Sequence, residues 1–184
     1  DNWNEIRLPE IPERDGFNTD GYWYDSEGNV YYEGSYVTLD YVSTTYTAKY
    51  SRIASFTDAT NSVSDITVIE TNDSYWNRVQ LPSVPRRDGY NTDGYWYDSN
   101  GNSYYEGIYV NLDSATKTYT AKYYRTVSFT DVTNSISVPS IDVIESNDYN
   151  WNYIQLPTVP SRNGYDTDGY WYDSNGNSNY QGSY

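Results

Sequence analysis

The chain states one phrase three times, and this repetition constrains its fold more than any other feature. The phrase NTDGYWYDSEGN at 18–29 returns as NTDGYWYDSNGN at 91–102 and as DTDGYWYDSNGN at 166–177. The steps are 73 and then 75 residues, as measured between Gly16, Gly89 and Gly164. Such a period is too long for a solenoid coil and long enough for one small globular module. Because tandem modules act by number and spacing, the repetition favours a surface spacer or adhesin over an enzyme.

Aromatic side chains replace the aliphatic ones that a core would normally use. The 184 residues include 25 Tyr, 6 Trp and 3 Phe, while hydrophobic residues make up only 36%. A low aliphatic content on its own indicates disorder. Burying one aromatic ring, however, removes about 150–250 Å² from water. We therefore expect a thin, folded module with a tyrosine-rich core.

Charge and composition exclude several classes of function. The net charge is −15 and the pI is near 4.1, whereas nucleic acids and anionic membranes bind clustered Lys and Arg. No apolar run approaches the roughly 18 residues of a membrane span. The sequence has no Cys and no His, so a Ser–His or Cys–His nucleophile pair cannot be formed. We expect no catalysis and no cofactor. No signal peptide is recognisable, so we expect an internal piece or a mature form.

The first part of the middle copy reads as an extended segment. Val79, Leu81 and Val84 alternate through VQLPSVP. Pro82 and Pro85 exclude both a helix and a central strand from this segment.

A β-hairpin follows this segment. Aromatic residues at 95–97 and 104–105 flank the turn sequence DSNGN at 98–102. Asn-Gly between aromatic strand formers is a strong hairpin signal, because both residues tolerate positive φ. Strand alternation places Trp96 on one face and its tyrosine neighbours on the other. We expect Trp96 to be buried and some tyrosine faces to be exposed.

The second half of the copy alternates in the same manner. Val110 and Leu112 share one face, and Tyr119, Ala121 and Tyr123 share another. Short strands with turn signals every 8 to 12 residues are typical of antiparallel β modules. We therefore predict a mainly β fold, and sandwich-like all-β modules are the alternative architecture.

Two segments interrupt this pattern. The piece around Asn72–Arg78 is the best helix candidate in a chain with almost no helical signal. Val138-Pro139 has no counterpart in the copy before it, and an insertion of that kind marks a loop or a bulge.

The repeat resembles a known family at several spaced positions. The pattern runs from Pro82 and Pro85 through Gly89–Tyr90 and Gly94–Trp96 to Tyr119–Tyr123. It resembles the internalin-type B-repeat, also called the Listeria–Bacteroides repeat, which reads roughly P-x-x-P, then G-Y-x-F-x-G-W-Y, then L-Y-A-K-W. The likeness covers the whole repeat and recurs in all three copies. This chain departs from the pattern at Thr92, in the Tyr-Trp order and at Tyr123.

The resemblance implies β-grasp-like modules on bacterial extracellular surface proteins, where they serve as stalks or adhesive units without catalysis. In the family's frame 52–125 is a complete module, 1–51 is the C-terminal part of one, and 126–184 is the N-terminal part of another. A rival frame places the borders near Asn72 and Asn147. Half-modules leave strand edges that seek a partner. We therefore expect head-to-tail self-association, or a ligand on a host or neighbouring cell surface.

The acidic turns invite a calcium interpretation. The segments are Asp25–Asn29, Asp98–Asn102 and Asp173–Asn177. An EF-hand loop places glycine at its sixth position and a bidentate Glu at its twelfth. Here glycine is fourth and Tyr109 stands at the twelfth position of the middle copy. A hairpin turn accounts for the pattern without a metal.

Three carboxylates of the middle copy raise the possibility of a glycosidase, which needs a paired acid and base. They are Asp93, Asp98 and Glu106. Glu106 becomes Gln181 in the third copy, so the acid is not retained. Catalysis by these residues is not expected.

The tyrosines and tryptophans could also stack on sugars, which makes a carbohydrate-binding array the alternative function. The candidate stacking residues are Tyr97, Tyr105 and Trp76. Tyr104 becomes Asn179 in the third copy, and this relaxed requirement predicts that Tyr104 is exposed.

One N-glycosylation sequon occurs, at Asn72-Asp73-Ser74. The next junction lacks it, since it reads Asn147-Asp148-Tyr149. Asn72 is therefore a possible glycosylation site that the repeat itself does not require.

Overall fold

The computed structural model describes residues 4–39, 43–58, 63–131 and 137–184. Within these ranges the chain forms fourteen β-strands and no α-helix. The predicted mainly β fold class is confirmed, while the β-grasp arrangement stays a prediction. No helix among these residues is long and apolar enough to cross a membrane.

Repeat 1, which we define as residues 4–70, contains six strands. They are β1 (Glu5–Arg7), β2 (Asn18–Tyr24), β3 (Val30–Tyr32), β4 (Tyr36–Thr38), β5 (Thr47–Thr57) and β6 (Ile66–Ile69). Strand β1 pairs with β4, β2 pairs with both β3 and β5, and β5 pairs with β6, all antiparallel.

Repeat 2 (77–145) and repeat 3 (152–184) contain the remaining strands. They are β7 (Arg78–Gln80), β8 (Asn91–Tyr97), β9 (Ser103–Tyr105), β10 (Tyr109–Asn111), β11 (Thr116–Phe129), β12 (Val138–Ile144), β13 (Tyr170–Tyr172) and β14 (Ser178–Tyr180). The pairs β7–β10, β8–β9, β11–β12 and β13–β14 are antiparallel. Repeat 2 therefore reproduces the strands of repeat 1, and repeat 3 reproduces the hairpin.

The chain divides into two compact units. Unit 1 contains residues 1–85 and 94–121, and unit 2 contains 86–93 and 122–184. In unit 1 the start of β11 pairs in parallel with the end of β5, so that Thr116 lies opposite Ile53 and Thr120 opposite Thr57. This parallel pair joins repeat 1 to repeat 2.

The predicted module borders at 51/52 and 125/126 fall inside β5 and β11. The first residues of β5, through Tyr50, pair with β2 of the same repeat. The last residues of β5 pair with β11 of repeat 2, so β5 makes pairs on both sides of the predicted border. Where the independently folding modules begin and end stays a prediction.

The core consists of the side chains that the alternation selected. Trp96 is fully buried, which confirms the prediction for that residue. The apolar residues that the alternation singled out are also buried, namely Val79, Leu81, Val84, Val110, Leu112, Tyr119, Ala121 and Tyr123. Aromatic rings therefore supply much of the core volume, as the composition indicates.

The residues at 72–78 do not form the short helix that we considered. They form a turn in which the Trp76 amide donates to the Asp73 carbonyl at 3.2 Å and the Arg78 amide donates to the Tyr75 carbonyl at 3.0 Å. The Asp73 side chain also accepts from the Tyr75 amide at 2.9 Å. An Asp that bonds its own local backbone competes with helix formation, so a turn results.

The inserted residues Val138 and Pro139 lie at the start of β12 and produce a bulge, as predicted. Val127 pairs with Ile141 and Phe129 pairs with Val138. Between these two pairs the chain advances two residues on β11 and three residues on β12. The extra residue is absorbed without ending the pairing, which is how β-bulges accommodate insertions.

A second bulge lies in β2 at the sequence Thr-Asp-Gly. Thr19 pairs with Tyr50 and Trp23 pairs with Ala48. Between these two pairs the chain advances four residues on β2 and two residues on β5. Gly21 has a φ of 79°, a conformation that glycine adopts without strain.

Candidate functional site

The contacts that join one repeat to the next recur in the chain and form the candidate functional site. Linker 1 (residues 71–76) ends at Trp76, and linker 2 (residues 146–151) ends at Trp151. Each tryptophan lies against the preceding repeat through a set of contacts that we call the linker stack.

In unit 1 the linker stack is built on Phe17. The Trp76 ring stacks on the Phe17 ring with centroids 5.7 Å apart and planes 17° apart. Arg14 lies 4.0 Å and Arg52 4.5 Å from the centroid of the Phe17 ring. The Arg14 guanidinium makes a bidentate ion pair with Glu70, the residue before linker 1. Cation–π contacts and a two-pronged ion pair therefore hold the linker on repeat 1.

Unit 2 repeats the arrangement with Tyr90 in place of Phe17. The Trp151 ring stacks on the Tyr90 ring at 6.0 Å with planes 21° apart. Arg87 lies 4.2 Å and Arg125 4.7 Å from the Tyr90 centroid. Arg87 makes a bidentate ion pair with Glu145, the residue before linker 2. Two linkers of different sequence thus reach the same geometry.

A second recurring contact, the Phe–Trp contact, joins the end of a long strand to the hairpin of the next repeat. Phe56 of β5 lies 4.8 Å from Trp96, with planes 61° apart. Phe129 of β11 lies 4.9 Å from Trp171, with planes 58° apart. Edge-to-face geometry at this distance is favourable because it opposes a ring edge to a ring face. The sequence analysis missed both phenylalanines, although Ser-Phe-Thr-Asp recurs at 55–58 and 128–131.

The hairpin tryptophans are held in place by one hydrogen bond that recurs in all three repeats. Each indole Nε1 donates to the carbonyl of a proline fourteen residues earlier at 2.8 Å. The pairs are Trp23 with Pro9, Trp96 with Pro82 and Trp171 with Pro157. This bond satisfies the single polar group of the ring as it becomes buried.

The aspartate in the turn of each hairpin holds that turn in place by hydrogen bonds. In repeat 2 the Asp98 carboxylate accepts from the amides of Asn100 and Asn102, the Asn102 side chain and the Tyr104 hydroxyl, each at 3.0 Å. The Asn102 side chain and the other donors hold the pKa of Asp98 below its ordinary value. Asp25 and Asp173 make the same bonds to their turns. These donors occupy the carboxylate oxygens, which favours the hairpin interpretation over calcium.

Tyr104 is half-buried, and the prediction that it is exposed was wrong. Its hydroxyl bonds to Asp98, and its ring packs edge-on against Tyr119 at 5.8 Å. Asn179 stands at this position in repeat 3, so repeat 3 lacks both the hydroxyl bond and the ring. A substitution between copies does not distinguish the loss of such contacts from an exposed position.

The Tyr119 hydroxyl is buried and has no hydrogen-bond partner among the residues that the structure describes. Burial is the main cause that raises the pKa of Tyr119 above its ordinary value, and the nearby Tyr104 adds to it. The ring stacks with Phe56 at 6.0 Å. Tyr119 therefore contributes packing area to the repeat junction at the cost of one unsatisfied polar group.

Glu106, one of the glycosidase candidates, has a structural partner. Its carboxylate accepts from the Val84 amide at 2.8 Å. Gln181 accepts from the Val159 amide at the same 2.8 Å in repeat 3. Because an amide oxygen serves as well as a carboxylate, this position requires an acceptor and no negative charge. Among the described residues no group of three or more His, Cys, Asp or Glu is placed to hold a metal ion.

The structure brings together two of the three predicted stacking residues. Tyr95 lies 4.2 Å from Tyr105 and 6.4 Å from Tyr97, measured between ring centroids, so the three rings form one face of the hairpin. Tyr105 is 60% exposed. Trp76 belongs to the linker stack instead and covers Phe17.

The predicted glycosylation residue, Asn72, lies exposed in linker 1. It sits at the bend just before the turn that leads to Trp76. Its exposure is compatible with modification, which stays a prediction.

Unit 2 contains an open groove of about 790 Å³ beside the hairpin of repeat 3. Its lining includes Thr130, Arg162, Tyr165 and Trp171. In repeat 2 the counterpart of Tyr165 is Tyr90, and Tyr123 of β11 packs edge-on against Tyr90 at 6.3 Å. The groove therefore corresponds to a position that a strand occupies in repeat 2.

The fold and the junction contacts define an all-β chain whose successive repeats are joined by two recurring contacts. Comparison with protein-family models, with curated proteins and with solved structures found no match for this chain.

Proposed function

We propose that this chain is a non-catalytic segment of an extracellular surface protein, where its repeats act in series as a stalk, fibre or adhesive module. The observation that carries the proposal is the recurrence of the linker stack on Phe17 and on Tyr90. A linker without such contacts behaves as a flexible coil whose ends move independently. Fixed contacts at each junction are what a spacer requires.

The cell-surface assignment is supported by the resemblance to internalin-type B-repeats. In that family such modules stand in series outside the cell. The net charge of −15 argues against nucleic acid as the partner. The partners that fit this proposal are other repeats of the same kind or a ligand on a neighbouring or host cell.

Spin labelling can test whether the junction is fixed. The chain has no cysteine, so Tyr32→Cys with Tyr105→Cys gives two selective labels on exposed sites in unit 1. Double electron–electron resonance should return one narrow distance distribution. Replacing Trp76 and Phe56 together by Ala should broaden it, because both junction contacts are removed. Tyr75→Ala, at an exposed linker site, is the matched control and should leave it narrow.

A distribution that is already broad in the doubly labelled chain with Trp76 and Phe56 intact would contradict a stalk. An unchanged distribution after both junction residues are removed would show that these contacts do not fix the repeats.

The exposed tyrosine face supports a second candidate, a carbohydrate-binding array. Tyr22 and Tyr32 of repeat 1 lie 4.8 Å apart, and Tyr170 and Tyr180 of repeat 3 lie 5.2 Å apart. Together with Tyr95 and Tyr105 these pairs present a similar face on every hairpin. Exposed aromatic faces are able to stack on sugar rings as well as on each other.

A glycan array followed by fluorescence titration decides this candidate. If sugar binds, Tyr105→Ala should lower the affinity at least about tenfold, and Tyr75→Ala, at an exposed linker ring outside the hairpin, should leave it unchanged. Absence of binding to every polysaccharide tested would remove the carbohydrate hypothesis and leave the stalk proposal standing.

A further inference from the structure

We infer that repeat 1 carries a receptor face, formed by Trp23, Tyr31 and Tyr46, that binds a Ser-Phe-Thr strand from another repeat of the same kind. This inference deepens the proposed function and rests on it, because it names what would extend the series of repeats. The occupant is identified by the junction inside unit 1, where such a strand is already bound.

The template is the way that repeat 2 holds Phe56. The Phe56 ring packs on Trp96 at 4.8 Å and stacks with Tyr119 at 6.0 Å. Tyr104 supports Tyr119 from the side at 5.8 Å. Three aromatic rings of repeat 2 thus form the platform for one ring of repeat 1.

The backbone of the strand that bears Phe56 also contributes to the contact. Residues 53–57 pair in parallel with residues 116–120, and Phe56 lies opposite Tyr119. The Ile53 amide donates to the Ala115 carbonyl at 2.8 Å, and the hydroxyls of Thr57 and Thr120 lie 2.9 Å apart. The contact is strand addition with one aromatic anchor, a general mode of peptide recognition.

Repeat 1 contains the same platform at positions 73 residues earlier. Tyr31 packs edge-on against Tyr46 at 5.5 Å, as Tyr104 does against Tyr119. Trp23 donates to the Pro9 carbonyl at 2.8 Å, as Trp96 does to its proline. The turn carboxylate of Asp25 bonds the Tyr31 hydroxyl at 3.0 Å. The platform is therefore built in repeat 1 as it is in repeat 2.

The two platforms differ in their exposure. Trp96 and Tyr119 are fully buried, whereas Trp23 and Tyr46 are only half-buried. Among the described residues no aromatic ring packs on Trp23 in the way that Phe56 packs on Trp96. In repeat 2 the strand that bears Phe56 covers the Trp96 ring, and this cover accounts for the difference in exposure.

The strand edge next to this platform differs in the same way. Strand β11 begins at Thr116, but β5 begins only at Thr47, the counterpart of Thr120. The four preceding residues, 43–46, are not in a strand, and Ser43 to Thr45 are exposed. Their counterparts in β11 are those that pair with residues 53–56. Backbone that pairs with no strand among the described residues, beside a half-buried aromatic platform, is a template for one more parallel strand.

The chemistry of the occupant follows from the two strands whose phenylalanine packs on the hairpin tryptophan of the next repeat. Both carry Ser-Phe-Thr preceded by a small or β-branched residue, Ala54 in one and Val127 in the other. The phenylalanine supplies the anchor, and the residues around it supply backbone donors and acceptors.

A peptide titration tests the inference. A synthetic peptide with the sequence of residues 50–58 is added to the ¹⁵N-labelled full chain, and the six indole signals are followed by NMR after assignment with Trp→Phe variants. The Trp23 signal should shift and saturate. The signals of Trp96 and Trp171 should not shift, because Phe56 and Phe129 already pack on these two rings. The same peptide with Phe replaced by Ala should bind at least about tenfold more weakly.

The inference is overturned if the Trp23 signal does not move at millimolar peptide, or if the Phe-to-Ala peptide binds equally well. Tyr46→Ala provides a second variant, and unchanged binding to it would also overturn the inference. These outcomes are independent of the spin-label distances between repeats 1 and 2, so failure here is distinguishable from failure of the stalk proposal.

Discussion

Phe56 of repeat 1 lies edge-on against Trp96 of repeat 2, with ring centroids 4.8 Å apart, and each ring belongs to a different copy of the same sequence. Phe129 makes the same contact with Trp171 at 4.9 Å in unit 2. The cores of the hairpins in repeats 2 and 3 are therefore completed by the repeat before them.

Removing the central tryptophan should cost more than any other single change. Trp96 is fully buried and bonded to Pro82, so Trp96→Ala should lower the free energy of unfolding by about 3–5 kcal/mol. That is a large part of the stability of a small domain. The measurement is urea unfolding followed by circular dichroism. Tyr75→Ala, at an exposed linker ring, is the control and should change stability by less than about 0.5 kcal/mol. Equal effects of the two changes would contradict burial of Trp96.

Removing the buried hydroxyl of Tyr119 should leave stability unchanged or raise it. The hydroxyl has no partner in the described part of the chain, so Tyr119→Phe keeps the ring and removes an unsatisfied polar group, a gain of up to about 1 kcal/mol. Tyr50→Phe is the matched control, because its hydroxyl donates to the Pro12 carbonyl at 2.9 Å. The control should lose about 0.5–1.5 kcal/mol. A larger loss in Tyr119→Phe than in Tyr50→Phe would show that the Tyr119 hydroxyl is bonded.

The acidic turns should make the chain sensitive to low pH. Hydrogen bonds from the Asn side chain and turn amides hold the pKa values of Asp25, Asp98 and Asp173 below their ordinary value. The unfolded chain then binds more protons, so stability is present above the unfolded pKa of about 3.9 and is lost as pH falls through the folded pKa.

Melting temperatures between pH 2 and pH 6 check this prediction. The Asp98→Asn variant should have a lower melting temperature than the unaltered chain at pH 6. Its melting temperature should fall less steeply as the pH is lowered to 2. A fall of the same steepness in both proteins would mean that the turn carboxylate does not contribute to acid sensitivity.

Loss of the linker tryptophan should destabilise unit 1 without a change in its hairpins. Trp76 stacks on Phe17 and is half-buried, so Trp76→Ala should cost roughly 1–3 kcal/mol. Tyr75→Ala, next to it and 68% exposed, should have almost no effect. Chemical denaturation of the two variants side by side makes the comparison. Equal stability would indicate that the linker stack contributes nothing in solution.

The sequence predicted the core well because two-residue alternation is a local property. Trp96, Leu81 and Leu112 are buried as the alternation indicated. The hairpin turn at 98–102 was also predicted, because Asn-Gly has a strong backbone preference.

Contacts between repeats could not be predicted in the same way. Phe56 and its partner Trp96 are 40 residues apart, and no local pattern connects them. The recurrence of Ser-Phe-Thr-Asp at 128–131 was the available signal. The bulge at Gly21 was missed because Asp-Gly was not considered as an interruption inside a strand.

A double-mutant cycle on Phe56 and Trp96 tests most directly whether one repeat completes the core of the next. The free energy of unfolding is measured for the unaltered chain, Phe56→Leu, Trp96→Leu and the double variant, so that bulk is largely retained. An edge-to-face pair contributes about 0.5–1.5 kcal/mol beyond the area it buries, and we predict a favourable coupling energy in that range. A coupling energy within about 0.3 kcal/mol of zero would contradict the claim that the two repeats share a core.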